Sequence, residues 1–239
     1  MPARQVATIS PAGEFMLVRN WMTPDVLTVS PDTSLLKIGK MMRDNNVRRL
    51  PVVDAKGQVV GIISDRDVRD ASPSKATTLD MYEMHYLLAE IKARDIMTPR
   101  PLTVKPTDTV EIAAMIMLDK KVGGLPVVEP DGKLCGIIAE QDVFKALVNI
   151  TGVREGGIQI GFSIANQQGA MRPVFDFLRQ KGARILSVLS SNNNAGERNI
   201  FLRIRSMESR EAEDQLVEEI KGICNLLYWA RTDVHLAGL

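Results

Sequence analysis

The chain has 239 residues, enough for two compact domains, and its 25% charged and 45% hydrophobic residues exclude a disordered or fibrous protein. With 30 Lys and Arg against 29 Asp and Glu, the formal net charge is +1, so no global field points to nucleic acid or to an acidic membrane surface. No apolar run approaches the roughly 18 residues of a membrane span, and the N-terminus lacks the apolar core of a signal peptide. Cys135, Cys224, His85 and His235 stand apart from one another without metal-ligand spacing. A cytoplasmic protein without a structural metal, a nucleic-acid partner or a membrane partner is expected.

Residues 1–15 show neither helical nor strand period and contain two prolines. They are set apart as an extension, with Met16 as the expected natural start. Val26 to Val29 then reads as a short strand stopped by Pro31. A helix follows with Asp32 or Thr33 as N-cap and Leu35, Ile38 and Met42 on one face. Leu50 to Asp54 and Gln58 to Ser64 read as two strands around Ala55-Lys56-Gly57. Their paired apolar residues Val52, Val53, Ile62 and Ile63 suggest cover on both faces. A further helix begins near Ser64.

The stretch from Met22 to Asp70 returns at Met97 to Lys145, an offset of 75 without a gap. Identity at 20 of the 49 aligned positions makes this an internal duplication, and two copies imply a pseudo-symmetric pair rather than a solenoid. In the second copy, Asp108 and Glu111 have capping-box spacing, followed by Val110, Ala113 and Met117 on the buried side. Glu129-Pro130-Asp131-Gly132 supplies the turn between strands, and a last helix begins near Glu140. Between the copies, Ser72 to Thr78 reads as a loop and Leu79 to Leu88 as an amphipathic helix. His85 there is expected to pack rather than to bind metal.

Composition shifts again at Thr151-Gly152 and Gly156-Gly157. Beyond them the pattern is strand, helix, strand, strand, helix, strand, which is a ferredoxin-like order. Ile158 to Ala165 alternates as a strand, while Met171, Val174, Phe175 and Leu178 share a helical face ended by Gly182. Arg184–Ser190 and Ile200–Ile204 are strands around the loop Asn192–Gly196. A helix over Glu211–Ile220 turns Ala212, Leu216 and Ile220 inward, and a last strand spans Leu226–Thr232. The expected organisation is therefore an extension at 1–15, repeats at 16–71 and 93–150 joined by 72–92, a linker at 151–157, and a C-terminal domain at 158–239. The fold class is mixed α/β (α+β).

Met-Thr-Pro, Leu-Pro-Val-Val and Gly-Ile-Ile with an aspartate four residues on occur twice in the same order. Together they resemble the CBS domain, and the tandem resembles the paired regulatory unit called a Bateman module. That resemblance implies a pseudo-twofold pair with clefts that take adenosine ligands: AMP, ADP, ATP or S-adenosylmethionine. It makes Asp67 the ribose residue, Ser64 a phosphate or ribose contact, and Arg66, Arg48 and Arg49 phosphate contacts. Val26, Pro101 and Val122 are expected around the adenine, with some contacts crossing between repeats. The residues themselves are consistent with this. Gly61 permits close backbone approach, a carboxylate accepts ribose hydroxyls, and free N–H groups with an arginine suit phosphate. The same Ser-x-x-Asp is equally a helix cap.

The copies are chemically unequal. Ser64 becomes Ala139, Arg66 becomes Gln141, and Arg48-Arg49 becomes Gly123-Gly124, leaving Asp142 as the surviving aspartate. A weak or empty second site follows. At the first strand-to-helix turn of the C-terminal domain stand Asn166, Gln167, Gly169, Ala170 and Met171, and here the domain resembles an ACT domain. That resemblance implies an amino-acid effector, although Asn166 replaces a common Asp and Gln168 a common Pro. CBS pair and ACT-like domain together resemble the bacterial acetoin-utilisation B protein family. No catalytic constellation is present. The expectation is a non-enzymatic, homodimeric sensor of an adenine nucleotide acting on a regulated protein. The alternatives are a ligand-free oligomerisation scaffold and an enzyme working in the cleft.

Overall fold

The computed structural model describes residues 16–72, 80–193 and 196–232. Expectations for residues 1–15, for the 73–79 loop, for Asn194 and Ala195, for the His85 side chain and for His235 lie outside the described residues. The chain divides into two compact units, one through Phe144 and one from Lys145 onward.

In the first unit the order is α1 (Val18–Trp21), α2 (Leu35–Asp44), β1 (Arg49–Val53), β2 (Val59–Ser64) and α3 (Asp65–Asp70), then α4 (Met81–Glu90). The second repeat gives α5 (Ala93–Ile96), β3 (Thr98–Pro99), α6 (Val110–Lys120), β4 (Gly124–Val128), β5 (Leu134–Ala139) and α7 (Glu140–Ile150), the unit division falling inside α7. β1 and β2 pair antiparallel, as do β4 and β5. The expected strand over Val26–Val29 shrinks to a single parallel bridge at Val29, whose N–H donates to the Pro51 carbonyl at 3.1 Å. Pro51 has no N–H with which to continue the ladder toward Leu27. Val104 and Pro126 repeat the arrangement, also at 3.1 Å.

Leu35, Ile38 and Met42 are buried as their helical spacing requires, and so are Val110, Ala113 and Met117. The caps differ from expectation. Thr33 Oγ1 accepts the Ser30 N–H at 3.0 Å, which turns the chain and leaves Ser34 as N-cap, accepting from Lys37 N at 3.4 Å. Asp108 Oδ2 accepts Lys105 N–H at 2.7 Å, so Thr109 is the N-cap of α6 and the expected capping box does not form. Asp80 and Glu83 instead make one at the start of α4. Val52 and Ile63 are buried, but Val53 and Ile62 are only half-buried, so these strands are not covered equally on both faces.

The repeats exchange their leading segments. Thr23 and Ile137 exchange backbone hydrogen bonds at 2.9 and 3.0 Å, and β3 pairs Thr98 with Ile62. Ala93 of α5 enters the core of Val29, Ile38, Met42, Leu50, Val52 and Ile63. Val18 of α1 donates its N–H to Asp108 O at 2.8 Å on the other side. Each exchange is completed by a methionine packed on a glycine: Met97 on Gly61 and Met22 on Gly136, with no space for a Cβ at either.

The second unit contains β6 (Gly157–Ala165), α8 (Arg172–Gln180), β7 (Ile185–Asn192), β8 (Glu197–Ile204), α9 (Arg210–Ile220) and β9 (Asn225–Thr232). Its antiparallel sheet has the order β7-β8-β6-β9, the ferredoxin-like arrangement. Ile158, Ile160 and Phe162 meet Leu202, Ile204, Leu178, Leu216 and Ile220 in the core. Phe175 points outward and Phe177 inward, because the i, i+3, i+4 face runs from Val174 through Phe177 to Leu178. Glu213, rather than Ala212, is the inward residue of the first turn of α9. Gly182 follows α8 with φ of 67°, as a helix-ending glycine does.

Candidate functional site

A cleft of about 580 Å³ opens in the first unit where β2 runs into α3. One wall is first-repeat sequence: Arg49, Ile62, Ser64 and Asp65–Asp67. The facing wall is second-repeat sequence: Thr98, Arg100, Pro101 and the run from Lys120 to Leu125, with Glu140. Ile62 is half-buried because one side of its strand faces this opening.

Ser64 and Asp67 form a reciprocal cap. The Ser64 N–H and its hydroxyl both donate to Asp67 Oδ2 at 2.7 Å, and the Asp67 N–H donates to Ser64 Oγ at 3.3 Å. The local reason is the Ser-x-x-Asp spacing. Asp67 Oδ1 accepts no hydrogen bond from a described residue. The cap therefore fixes the carboxylate and leaves one oxygen to the cleft.

Six cationic side chains line the cleft, against three carboxylates. Arg69 pairs with Asp65 at 3.0 Å on the solvent side. Arg49, Arg66, Arg100, Lys120 and Lys121 make no ion pair with any described residue. Positive charge is thus concentrated here although the whole chain is nearly neutral, which suits an anionic ligand.

Of the residues expected at a nucleotide site, the structure brings Ser64, Arg66, Asp67, Arg49, Pro101 and Val122 together. Arg48 is not among them. It is exposed, and only its carbonyl is used, accepting Asp65 N–H at 2.9 Å. Adjacent residues at a strand entry point to opposite sides, so Arg48 and Arg49 do not share the cleft. Val26 does not line it either. Val26 and Pro101 are the same position in the two copies, and of the two Pro101 lines this cleft. Asp142 does not line this cleft; it is buried at 6% exposure and accepts the Ala139 N–H at 3.0 Å. Gly61 serves Met97, not a ligand. Gly123 and Gly124 are also more than missing arginines. A Cβ at Gly123 would overlap the Arg49 guanidinium, and one at Gly124 would meet Arg49 Cδ at 3.2 Å. The reading of the residues alone missed Arg100, Lys120, Lys121 and Glu140.

On the second unit, Asn166, Gln167 and Gly169 are exposed, with Ala170 and Met171 half-buried. Gly169 has φ of 81° and open space at its Cβ position. Clefts of about 260 and 450 Å³ on this unit are lined by other residues. Its buried ionic groups hold the fold. Glu213 Oε2 accepts from Arg231 Nε at 2.7 Å, and buried Arg203, its pKa lowered by loss of hydration, donates to Gly156 O and Thr232 Oγ1. Burial also pushes the Cys224 thiol up to about 11. Among the described residues no three His, Cys, Asp or Glu side chains gather as a metal site, and no helix is long and apolar enough to cross a membrane.

The CBS domain family profile matches residues 18–74 and 93–149. A CBS domain-containing protein of Dictyostelium discoideum is 34% identical over 135 residues, spanning 56% of this chain and 93% of that one. The chain belongs to the CBS-domain proteins. Among solved structures it is similar to CBSX2 of Arabidopsis thaliana in complex with AMP, at 33% identity and a TM-score of 0.48, over 57% of this chain and 98% of that one. It is also similar to a Vibrio cholerae protein named for acetoin utilization (AcuB), at 25% identity and a TM-score of 0.48, over 58% and 95% of the two chains. The cleft described above thus lies between the two CBS repeats.

Proposed function

We propose that this chain is a non-enzymatic regulatory protein that binds an adenine nucleotide between its CBS repeats. The observation that carries the reading is the pairing, around one cleft, of Asp67, whose Oδ1 accepts from no described residue, with five cations that make no ion pair with a described residue. A carboxylate oxygen held at that place suits ribose hydroxyls, and Arg66 and Arg49 suit phosphate. The half-buried Ile62, Pro101 and Val122 supply apolar surface for a base. The surplus of positive charge favours AMP, ADP or ATP over S-adenosylmethionine, whose sulfonium is cationic. Ligand touching residues of both repeats would favour one relative placement of them, which is the differential contact a regulatory change requires.

The reading extends to a regulated partner protein, to an amino acid at the Asn166–Met171 turn, and to carbon metabolism such as acetoin use. Their support is the topology of the second unit, its turn glycine and the resemblance of the whole arrangement.

A thermal-shift panel and calorimetry with AMP, ADP, ATP and S-adenosylmethionine test the proposal. Nucleotide at 100 times its dissociation constant should stabilise by about 2.7 kcal/mol. Asp67→Asn keeps an acceptor for the Ser64 cap but removes the charge, and should weaken binding by about tenfold. Unchanged affinity in that variant would return Asp67 to a capping role alone.

A further inference from the structure

Two of the cleft cations sit where the backbone resists them. Arg100 has φ of 47° and Lys121 of 53°, a left-handed region that glycine adopts freely and that, among other residues, asparagine and aspartate tolerate best. The matching first-repeat residues, Asp25 and Asn46, have φ of 51° and 50°. The duplicated fold therefore demands this conformation at both places in both copies. The first repeat meets the demand with the tolerant residue types. The second meets it with arginine and lysine, and both line the same cleft. Lys120, beside them, stands where the first repeat has Asn45.

Charge points the same way. A monophosphate is satisfied by Arg66 and Arg49, on the wall that carries Ser64 and Asp67. Arg100, Lys120 and Lys121 lie on the facing wall, and no described residue neutralises them. At the opposite, pseudo-symmetric site their counterparts are one acid and two amides, so this second bank of charge belongs to one cleft only.

We infer that the cleft takes a nucleoside di- or triphosphate, with the outer phosphates held by Arg100, Lys120 and Lys121. The inference rests on the nucleotide reading above and adds its class. The inner phosphate and ribose lie on first-repeat residues, and the phosphate chain spans to the second repeat. Only a polyphosphate engages the cations of both walls, so the number of phosphates is the quantity this site distinguishes.

Calorimetry on the full chain with AMP and ATP, at low and raised ionic strength, tests this. ATP should bind about tenfold more tightly than AMP, the factor one charge-assisted hydrogen bond supplies. That preference should shrink with added salt. The double variant Arg100→Asn/Lys121→Asn places a left-handed-tolerant residue at each position, and thermal melting confirms that it folds. It should bring ATP down to the level of AMP. Equal binding of AMP and ATP by the unmodified chain, or a loss shared equally by both ligands in the variant, overturns the inference and leaves the nucleotide reading standing. Binding of neither nucleotide overturns both.

Discussion

The guanidinium of Arg49 occupies the space that a side chain at position 123 would need. An arginine from the first repeat and a glycine from the second are therefore one unit. The glycine pair stands where the first repeat has Arg48-Arg49, so the positions at which the second repeat lacks arginine make room for the first repeat's Arg49 in the cleft. Gly123→Ala should displace Arg49 and weaken nucleotide binding by about tenfold. Arg49→Ala should do the same, and the double variant should be little worse than either single one. Calorimetry across this double-mutant cycle gives the coupling, and additive losses would separate the two residues.

Stoichiometry follows from the inequality of the copies. The second repeat has Ala139, Gln141 and Gly124 in place of Ser64, Arg66 and Arg49, the groups proposed to contact ribose and phosphate. Titration should find one tight site per chain. Two equal sites would show that phosphate is held by groups other than these.

Lys121 ends α6 in a left-handed conformation. Lys121→Gly should raise stability by about 1 kcal/mol, since glycine carries no Cβ penalty there, and should lower affinity for ATP. Urea unfolding checks the first part. A lower midpoint would show that the lysine side chain makes a net stabilising contact.

Much of this architecture was legible from the residues. The duplication, the helical faces of Ile38 and Ala113, and the order of strands and helices after residue 157 all follow from periodicity and turn chemistry. Caps were displaced by a residue or two because Thr33 and Asp108 satisfy turns rather than helix ends. The lining of the cleft was legible where a motif is local, as for Ser64, Arg66 and Asp67. Across the two repeats the lining was legible in part: Pro101 and Val122 line the cleft and Val26 does not. Arg100, Lys120 and Lys121 belong to no motif. The signal that could have found them is comparison at an offset of 75, where Asp25, Asn45 and Asn46 give way to three cations.

Ile112, Met115 and Leu118 on α6 are 39, 55 and 78% exposed. Exposed apolar side chains on one helix are what a subunit contact would cover, and we expect the chain to be a homodimer. Light scattering should show twice the chain mass, and Leu118→Glu should shift it toward the monomer. A monomer at all concentrations in the unmodified chain would remove the interface.

The methionine of each repeat closes on the glycine of the other, and nothing in that contact requires the two repeats to share a chain. What makes the pairing intramolecular is the tether between them, residues 72–92, which sets the effective concentration at which one repeat meets the other. A shortened tether that no longer reached would leave the same contacts to be made between two molecules, as a swapped assembly. Each cleft between repeats would then be built from two chains, and occupancy would depend on protein concentration as well as on ligand.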